Sequence, residues 1–135
     1  MQVQPYLMFD GRCEEALEFY RKTLGAKVEA LLRFKDSPES QAACAGAAPE
    51  KVMHACLRIG DTTFMASDGQ CQGQPRFQGF SLALTAAGDE DAKRRFNALA
   101  DGGQVQMPLA KCFFASSFGM VADKFGVSWM IVTEK

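Results

Sequence analysis

The chain lacks any concentrated patch of one charge, any C-x-x-C pair and any long apolar run, and among its 135 residues it has a single histidine and a single tryptophan. Fifteen basic residues against sixteen acidic ones leave a net charge of −1. Binding nucleic acid requires enough clustered lysine and arginine to displace counterions from phosphates, and no stretch supplies it. An anionic membrane surface is disfavoured on the same ground. The nearest basic run, Lys93-Arg94-Arg95, falls on a predicted helix and reads as its solvated face. No segment approaches the length needed to span a bilayer, and no apolar stretch follows a basic start, so a cytoplasmic location is expected.

Cysteine is present but unpatterned. Five residues (Cys13, Cys44, Cys56, Cys71, Cys112) are odd in number and widely spaced, which suggests neither a zinc knuckle nor a dithiol redox site. Cys13 and Cys56 read as small apolar fillers. Cys44 and Cys71 fall in expected loops, where a reactive thiol would need a basic neighbour to lower its pKa, and none is apparent.

The apolar share is 47%, enough for a real core in one domain, 1–135. Residues 2–9 form a short apolar run that predicts a strand, and Asp10 is positioned to cap a helix after it. From Cys13 to Leu24 the apolar positions Cys13, Ala16, Leu17, Tyr20 and Leu24 recur at i, i+3, i+4, i+7 and i+11, the spacing of a helix with one buried stripe. Glu14 and Glu15 near its start and Lys22 near its end suit the helix dipole, and Gly25 supplies a left-handed stop. Residues 26–34 predict a strand, and 35–50 a long loop able to act as a lid. Val52 to Ile59 alternates between two faces, and Gly60-Asp61 turns it into Thr62 to Ser67 as a hairpin. Residues 70–78 read as a linker.

The pattern then repeats. Phe80, Leu82 and Leu84 alternate in a strand, and Asp89 is expected to cap a helix with Ala92, Phe96, Leu99 and Ala100 on one stripe. Gly102-Gly103 ends it, and strands are expected near 104–109, 115–122 and 127–133. Two modules, about 1–69 and 79–135, therefore share the order strand-helix-strand-strand-strand. The expected fold is α+β: two βαβββ modules whose curved mixed sheets enclose a cavity, helices outside.

Several short segments carry a family resemblance. They are Pro5-Tyr6-Leu7-Met8-Phe9 running into Cys13-Glu14-Glu15-Ala16-Leu17-Glu18-Phe19-Tyr20, then Lys51-Val52-Met53-His54-Ala55, Gly60-Asp61 and Met65-Ala66-Ser67-Asp68. The most specific is Asp123-Lys124-Phe125-Gly126-Val127-Ser128-Trp129. In this order they resemble the vicinal oxygen chelate superfamily of glyoxalases, bleomycin-resistance proteins and extradiol dioxygenases, most closely its PhnB-like branch. That resemblance implies a divalent metal held by His and Glu side chains from four strands. The matching positions here are Pro5, Ala66, Phe80 and Met130, and a one-residue shift at Ala66 brings up only Met65 or Ser67. None is a ligand for a hard divalent ion, so no metal and no cofactor are expected.

With Pro5 facing inward, strand parity places Leu7, Phe9, Phe64, Phe80, Leu82, Leu84, Met130 and Val132 along the cavity, and Tyr6 and Trp129 beneath the helices. Polar exceptions are His54, Arg58 and Asp68, with Ser116, Ser117 and Ser128 as further candidates. His54 is either a base or hydrogen-bond anchor oriented by Asp68 or an ordinary strand histidine. Arg58 either meets an anionic group or is solvated, and Asp68 either orients His54 or caps the turn before Gly69. Two functions remain open: metal-independent binding of a small apolar or aromatic molecule, or an enzyme using His54 and Asp68 or an atypical metal site. A homodimer is expected, because eight short strands leave edges to be covered.

Overall fold

Helix α1 runs Cys13–Leu24, the span that the spacing of its apolar residues predicts, and its stripe of Ala16, Leu17, Tyr20 and Leu24 is buried. It ends at Gly25, whose φ of 68° is a left-handed conformation that costs a glycine little. The computed structural model describes residues 1–36, 49–69 and 75–134. Residues 37–48 of the expected lid loop, residues 70–74 of the linker, and Cys44 and Cys71 lie outside those described.

Two compact units are present, Met1–Pro75 and Arg76–Lys135. The first contains β1 (Tyr6–Met8), α1, β2 (Lys27–Arg33), a single 3-10 turn at Phe34–Asp36, β3 (Val52–Ile59) and β4 (Thr62–Ser67). The second contains β5 (Leu82–Thr85), α2 (Asp89–Ala100), β6 (Gln104–Ala110), β7 (Ala115–Ala122) and β8 (Ser128–Glu134). Each unit is a mixed four-stranded sheet with one helix. The orders, β1-β4-β3-β2 and β5-β8-β7-β6, are the same order of corresponding strands. In both, the first strand is parallel to the last and the remaining pairs are antiparallel. The fold is α+β and duplicated, as the repeated element order implies.

The core of the first unit gathers around Tyr20, which is fully buried, with Phe9, Phe19 and Phe64 rings at 6.2, 5.7 and 6.4 Å. Burying each of these rings stabilises the unit by roughly 1.5–3 kcal/mol. In the second unit Ala92, Phe96 and Leu99 of α2 and the sheet residues Val121, Trp129 and Ile131 are all buried.

Helix α1 has no cap from its own neighbours: Asp10 has a φ of 49°, and the N-cap residue Arg12 makes no capping bond. The capping acceptor comes from 55 residues away. Asp68, 1% exposed at the end of β4, accepts N–H bonds on Oδ1 from Gly11 at 3.0 Å and Cys13 at 2.8 Å, and on Oδ2 from Val52 at 2.6 Å. One carboxylate thus ties the start of α1 and the start of β3 to the end of β4. Asp89 is likewise not a cap. It is the first residue of α2, and its Oδ1 accepts bonds from Ser116, Ser117 and Thr133 at 2.7, 2.7 and 3.1 Å. These hydroxyls, Ser117 foremost, hold its carboxyl below the usual aspartate range.

Side-chain direction departs from the sequence-based parity by one residue on β1 and β4. Tyr6, Leu7 and Met8 pair with Met65, Ala66 and Ser67, and it is Leu7, Phe9, Phe64 and Ala66 that are buried with the core. Tyr6 and Met8 are exposed on the face away from α1. Leu7, Phe9 and Phe64 therefore belong to the core rather than to a ligand surface, and Tyr6 does not lie under the helix. A period-2 structure inverts every side chain on a slip of one residue. In the second unit β5 departs in the same way: Leu82 and Leu84 pair with Trp129 and Ile131 in parallel register, share their helix-facing side and so do not line a surface with Met130. Met130 and Val132 alternate with those residues and face away from α2. Trp129 is buried, with its indole N–H given to Asp123 Oδ2 at 3.0 Å.

Candidate functional site

The second unit carries a pocket of about 550 Å³ on the sheet face away from α2. Its floor comes from β6, β7 and β8 through Gln106, Met120 and Ser128. Its wall is the segment entering β5, with Phe77, Gln78, Gly79, Phe80 and Ser81, and Gly126 also lines it. The rings of Phe77 and Phe80 meet edge to face, with centroids 6.4 Å apart. The turn that sets Gly126 and Ser128 in place is held by the buried Asp123. Its Oδ1 accepts the N–H groups of Phe125 at 2.9 Å and Val127 at 3.1 Å. Gly126 has a φ of 91°, which a larger residue would resist.

Along the pocket runs a chain of polar groups. Ser81 Oγ donates to Ser128 Oγ at 2.8 Å, and Ser128 Oγ donates to Gln106 Oε1 at 3.0 Å. The direction of the chain leaves the Gln106 NH2 group as a donor and the Ser81 oxygen as an acceptor for something else. Among the described residues no ionisable side chain lines the pocket. Two aromatic rings, a thioether and a short donor–acceptor edge suit a flat, uncharged molecule. Of the residues expected along a cavity, Phe80 lines this pocket, Ser128 belongs to its polar chain, and Met130, paired with Met120, lies on the same face.

The remaining candidates sit in the first unit. His54 lies on β3, on the face away from α1, and its Nδ1 is 3.1 Å from the hydroxyl of Tyr6. Asp68 is not its partner, because both carboxylate oxygens are occupied by the backbone N–H groups of Gly11, Cys13 and Val52. The alternative in which Asp68 orients His54 is therefore not realised. Arg58 is held by Glu29, Nε to Oε2 at 2.8 Å, on an exposed part of the sheet. Its guanidinium is engaged rather than presented to an anion. Cys13 is buried beside Asp68, and burial first and that carboxylate second push its thiol well above the usual range, which makes it inert. Ser116 and Ser117 are committed to Asp89.

A divalent cation does not fit the positions that the superfamily's pattern assigns to its ligands. With the parity observed, β1 offers Tyr6 and β4 offers Met65 and Ser67 on the face where Pro5 and Ala66 were expected, and β8 offers Met130. The second module's first ligand position holds Phe80. This set has no carboxylate and no imidazole, and among the described residues no three His, Cys, Asp or Glu side chains cluster as a metal site.

Two βαβββ units with this strand order, together with the family match over nearly the whole chain, define a protein of the vicinal oxygen chelate superfamily, in its PhnB-like branch. More particularly, the 3-demethylubiquinone-9 3-methyltransferase family profile matches residues 1–132, and the chain belongs to that family. It is 37% identical to Protein YjdN of Escherichia coli strain K12, over 97% of this chain and 94% of that one. The crystal structure of protein PA1353 from Pseudomonas aeruginosa superposes with a TM-score of 0.85 at 44% identity, covering 99% of this chain and 98% of that one. A putative 3-demethylubiquinone-9 3-methyltransferase, the PhnB protein from Bacillus cereus, gives a TM-score of 0.81 at 29% identity over 98% and 99%. Fold and family membership carry no reaction with them.

Reading the sequence alone misses Phe77, Gln78, Gln106 and Met120. The first two stand in a Gly-, Gln- and Pro-rich stretch that looks like a linker. The available signal was two phenylalanines three residues apart at the edge of that stretch, beside the strand they introduce. Among the described residues no helix is long and apolar enough to cross a membrane.

Proposed function

We propose that this protein binds a small, flat, uncharged molecule in the pocket of its second unit without the help of a metal ion. The observation that carries the reading is the pocket's lining: Phe77 and Phe80 rings, Met120, and the Ser81–Ser128–Gln106 hydroxyl–amide chain, with no charged group among them. A pocket of about 550 Å³ falls in the range used for small ligands. An anion or cation entering it would lose hydration with no opposite charge to compensate, whereas a neutral aromatic body with one hydroxyl or carbonyl matches both the rings and the polar edge.

The alternative, an enzyme built on His54 and Asp68, loses support because the two side chains are not bonded and Asp68 is engaged with backbone N–H groups. The test is a fluorescence titration of the purified protein with 1-naphthol and with 1-naphthoate. The neutral alcohol binds at least about tenfold more tightly than the carboxylate, and Ser128→Val weakens the alcohol alone. Equal or tighter binding of 1-naphthoate overturns the proposal.

A further inference from the structure

The first unit holds a polar pair that the pocket reading leaves unused. On the face away from α1, Tyr6 of β1 reaches over β4 to His54 of β3. The phenolic oxygen lies 3.1 Å from Nδ1, and the ring centroids are 5.6 Å apart, tilted by 42°. The neighbourhood is apolar. Leu32 pairs with His54 across β2 and β3, Tyr6 pairs with Met65 across β1 and β4, and Cys56 pairs with Met65 across β3 and β4. Tyr6 and Leu32 are 40% and 45% exposed, so this is a surface that a ligand can reach. On the same sheet Arg58 and Glu29 satisfy each other.

The chemistry of the pair favours one direction. A phenol is a good donor and a poor acceptor, and the unprotonated nitrogen of a neutral imidazole is a strong acceptor, so the O–H of Tyr6 donates to Nδ1. The ring proton then resides on Nε2, which makes no hydrogen bond to any described residue. We propose that Tyr6 is a positioning residue that locks His54 as the Nε2–H tautomer, and that His54 Nε2–H is a donor site for the carbonyl oxygen of an apolar ligand at the first sheet. Leu32 and Met65 supply the apolar contact, and His54 supplies the single directed bond. This inference rests on the first unit alone and does not depend on the pocket described above.

The single histidine makes the test clean, because every imidazole signal belongs to His54. Long-range 1H–15N spectra of protein labelled at histidine, recorded at about pH 8.5 where an ordinary imidazole is neutral, read the tautomer directly. The expected result is a pyridine-type Nδ1 and a protonated Nε2 in the wild type, and a mixture of tautomers in Tyr6→Phe. A wild-type imidazole protonated on Nδ1 overturns the inference with no variant needed. The second arm compares acetophenone with α-methylstyrene, which has the same shape but a methylene in place of the carbonyl oxygen. Acetophenone binds roughly two- to tenfold more tightly, the worth of one hydrogen bond, shifts the Nε2 resonance, and loses its advantage in His54→Phe. Equal affinities in the wild type overturn the inference. So does an advantage that survives His54→Phe and disappears in Ser128→Val, which instead supports the pocket of the second unit.

Discussion

Replacing Asp68 by alanine removes three hydrogen bonds in one step. The carboxylate is 1% exposed and accepts N–H groups from Gly11, Cys13 and Val52 at 3.0, 2.8 and 2.6 Å. Hydrogen bonds to a charged acceptor are each worth about 1.5–3 kcal/mol, and the three share one group, so their losses do not simply add. The expected destabilisation of Asp68→Ala is about 3–5 kcal/mol, because three backbone N–H donors lose their acceptor at once. Asp68→Asn is the discriminating partner. It keeps Oδ1 for Gly11 and Cys13 but turns an NH2 group toward the N–H of Val52, so it costs about half as much as alanine. Urea unfolding followed by far-UV circular dichroism measures both, and with a slope of about 1.5 kcal/mol per molar the alanine variant shifts the midpoint by about 2 M or more. An Asp68→Ala midpoint within about 0.5 M of the wild type refutes this reasoning. So does an Asn variant as costly as Ala, because then the geometry of the three bonds is not what stabilises this corner.

Other sites give further expected outcomes. The carboxyl of Asp89 is held low by the hydroxyls of Ser117, Ser116 and Thr133, so its contribution to stability is full above the unfolded-state pKa of about 3.9 and is lost as pH falls through the lower folded value. Carboxyl NMR titration of Ser117→Ala should move the Asp89 midpoint upward, and an unmoved midpoint removes Ser117 as the cause. Gly119 admits no side chain, since a Cβ there would stand 2.8 Å from Phe96 Cε2 and 2.9 Å from Leu109 Cα. Gly119→Ala should therefore cost about 1–3 kcal/mol in thermal or urea unfolding by forcing α2 and β6 outward. The edge strand β6 exposes Val105 and Met107. We propose that a second copy of the chain covers such an edge; sedimentation equilibrium at micromolar concentration should give a dimer, and a monomer contradicts this.

How much was legible in the sequence depended on the length of each element and on whether its two faces differ. Helix α1 has a 12-residue stripe at helical spacing and ends at a glycine, so its bounds could be read directly. The hairpin of β3 and β4 was equally plain, because Gly60-Asp61 interrupts two alternating runs. On β8 the alternate positions Trp129, Ile131 and Thr133 are the buried ones, which leaves Met130 and Val132 on the other face. Strand β1 is only three residues long, and Tyr6, Leu7 and Met8 are all apolar enough for either face. Its parity is set by parallel pairing with β4, nearly sixty residues away, which no local pattern records. Distance along the chain also hid the role of Asp68, two of whose three partners are 55 and 57 residues off in sequence. From sequence Asp68 could orient His54 or cap the turn before Gly69; the backbone donors that occupy it are visible only once the chain is folded. The pocket suffered from composition. A stretch of Gly, Gln and Pro reads as a connector, yet Phe77 within it lies edge to face on Phe80.

The measurement that bears most directly on metal-independent binding is a titration of 1-naphthol into 15N-labelled protein pretreated with a chelator, followed amide by amide. Saturable shifts confined mainly to 77–81, Gln106, Gly126 and Ser128 are the predicted result. Shifts that appear only after a divalent ion is added back, or that never reach those residues, contradict it.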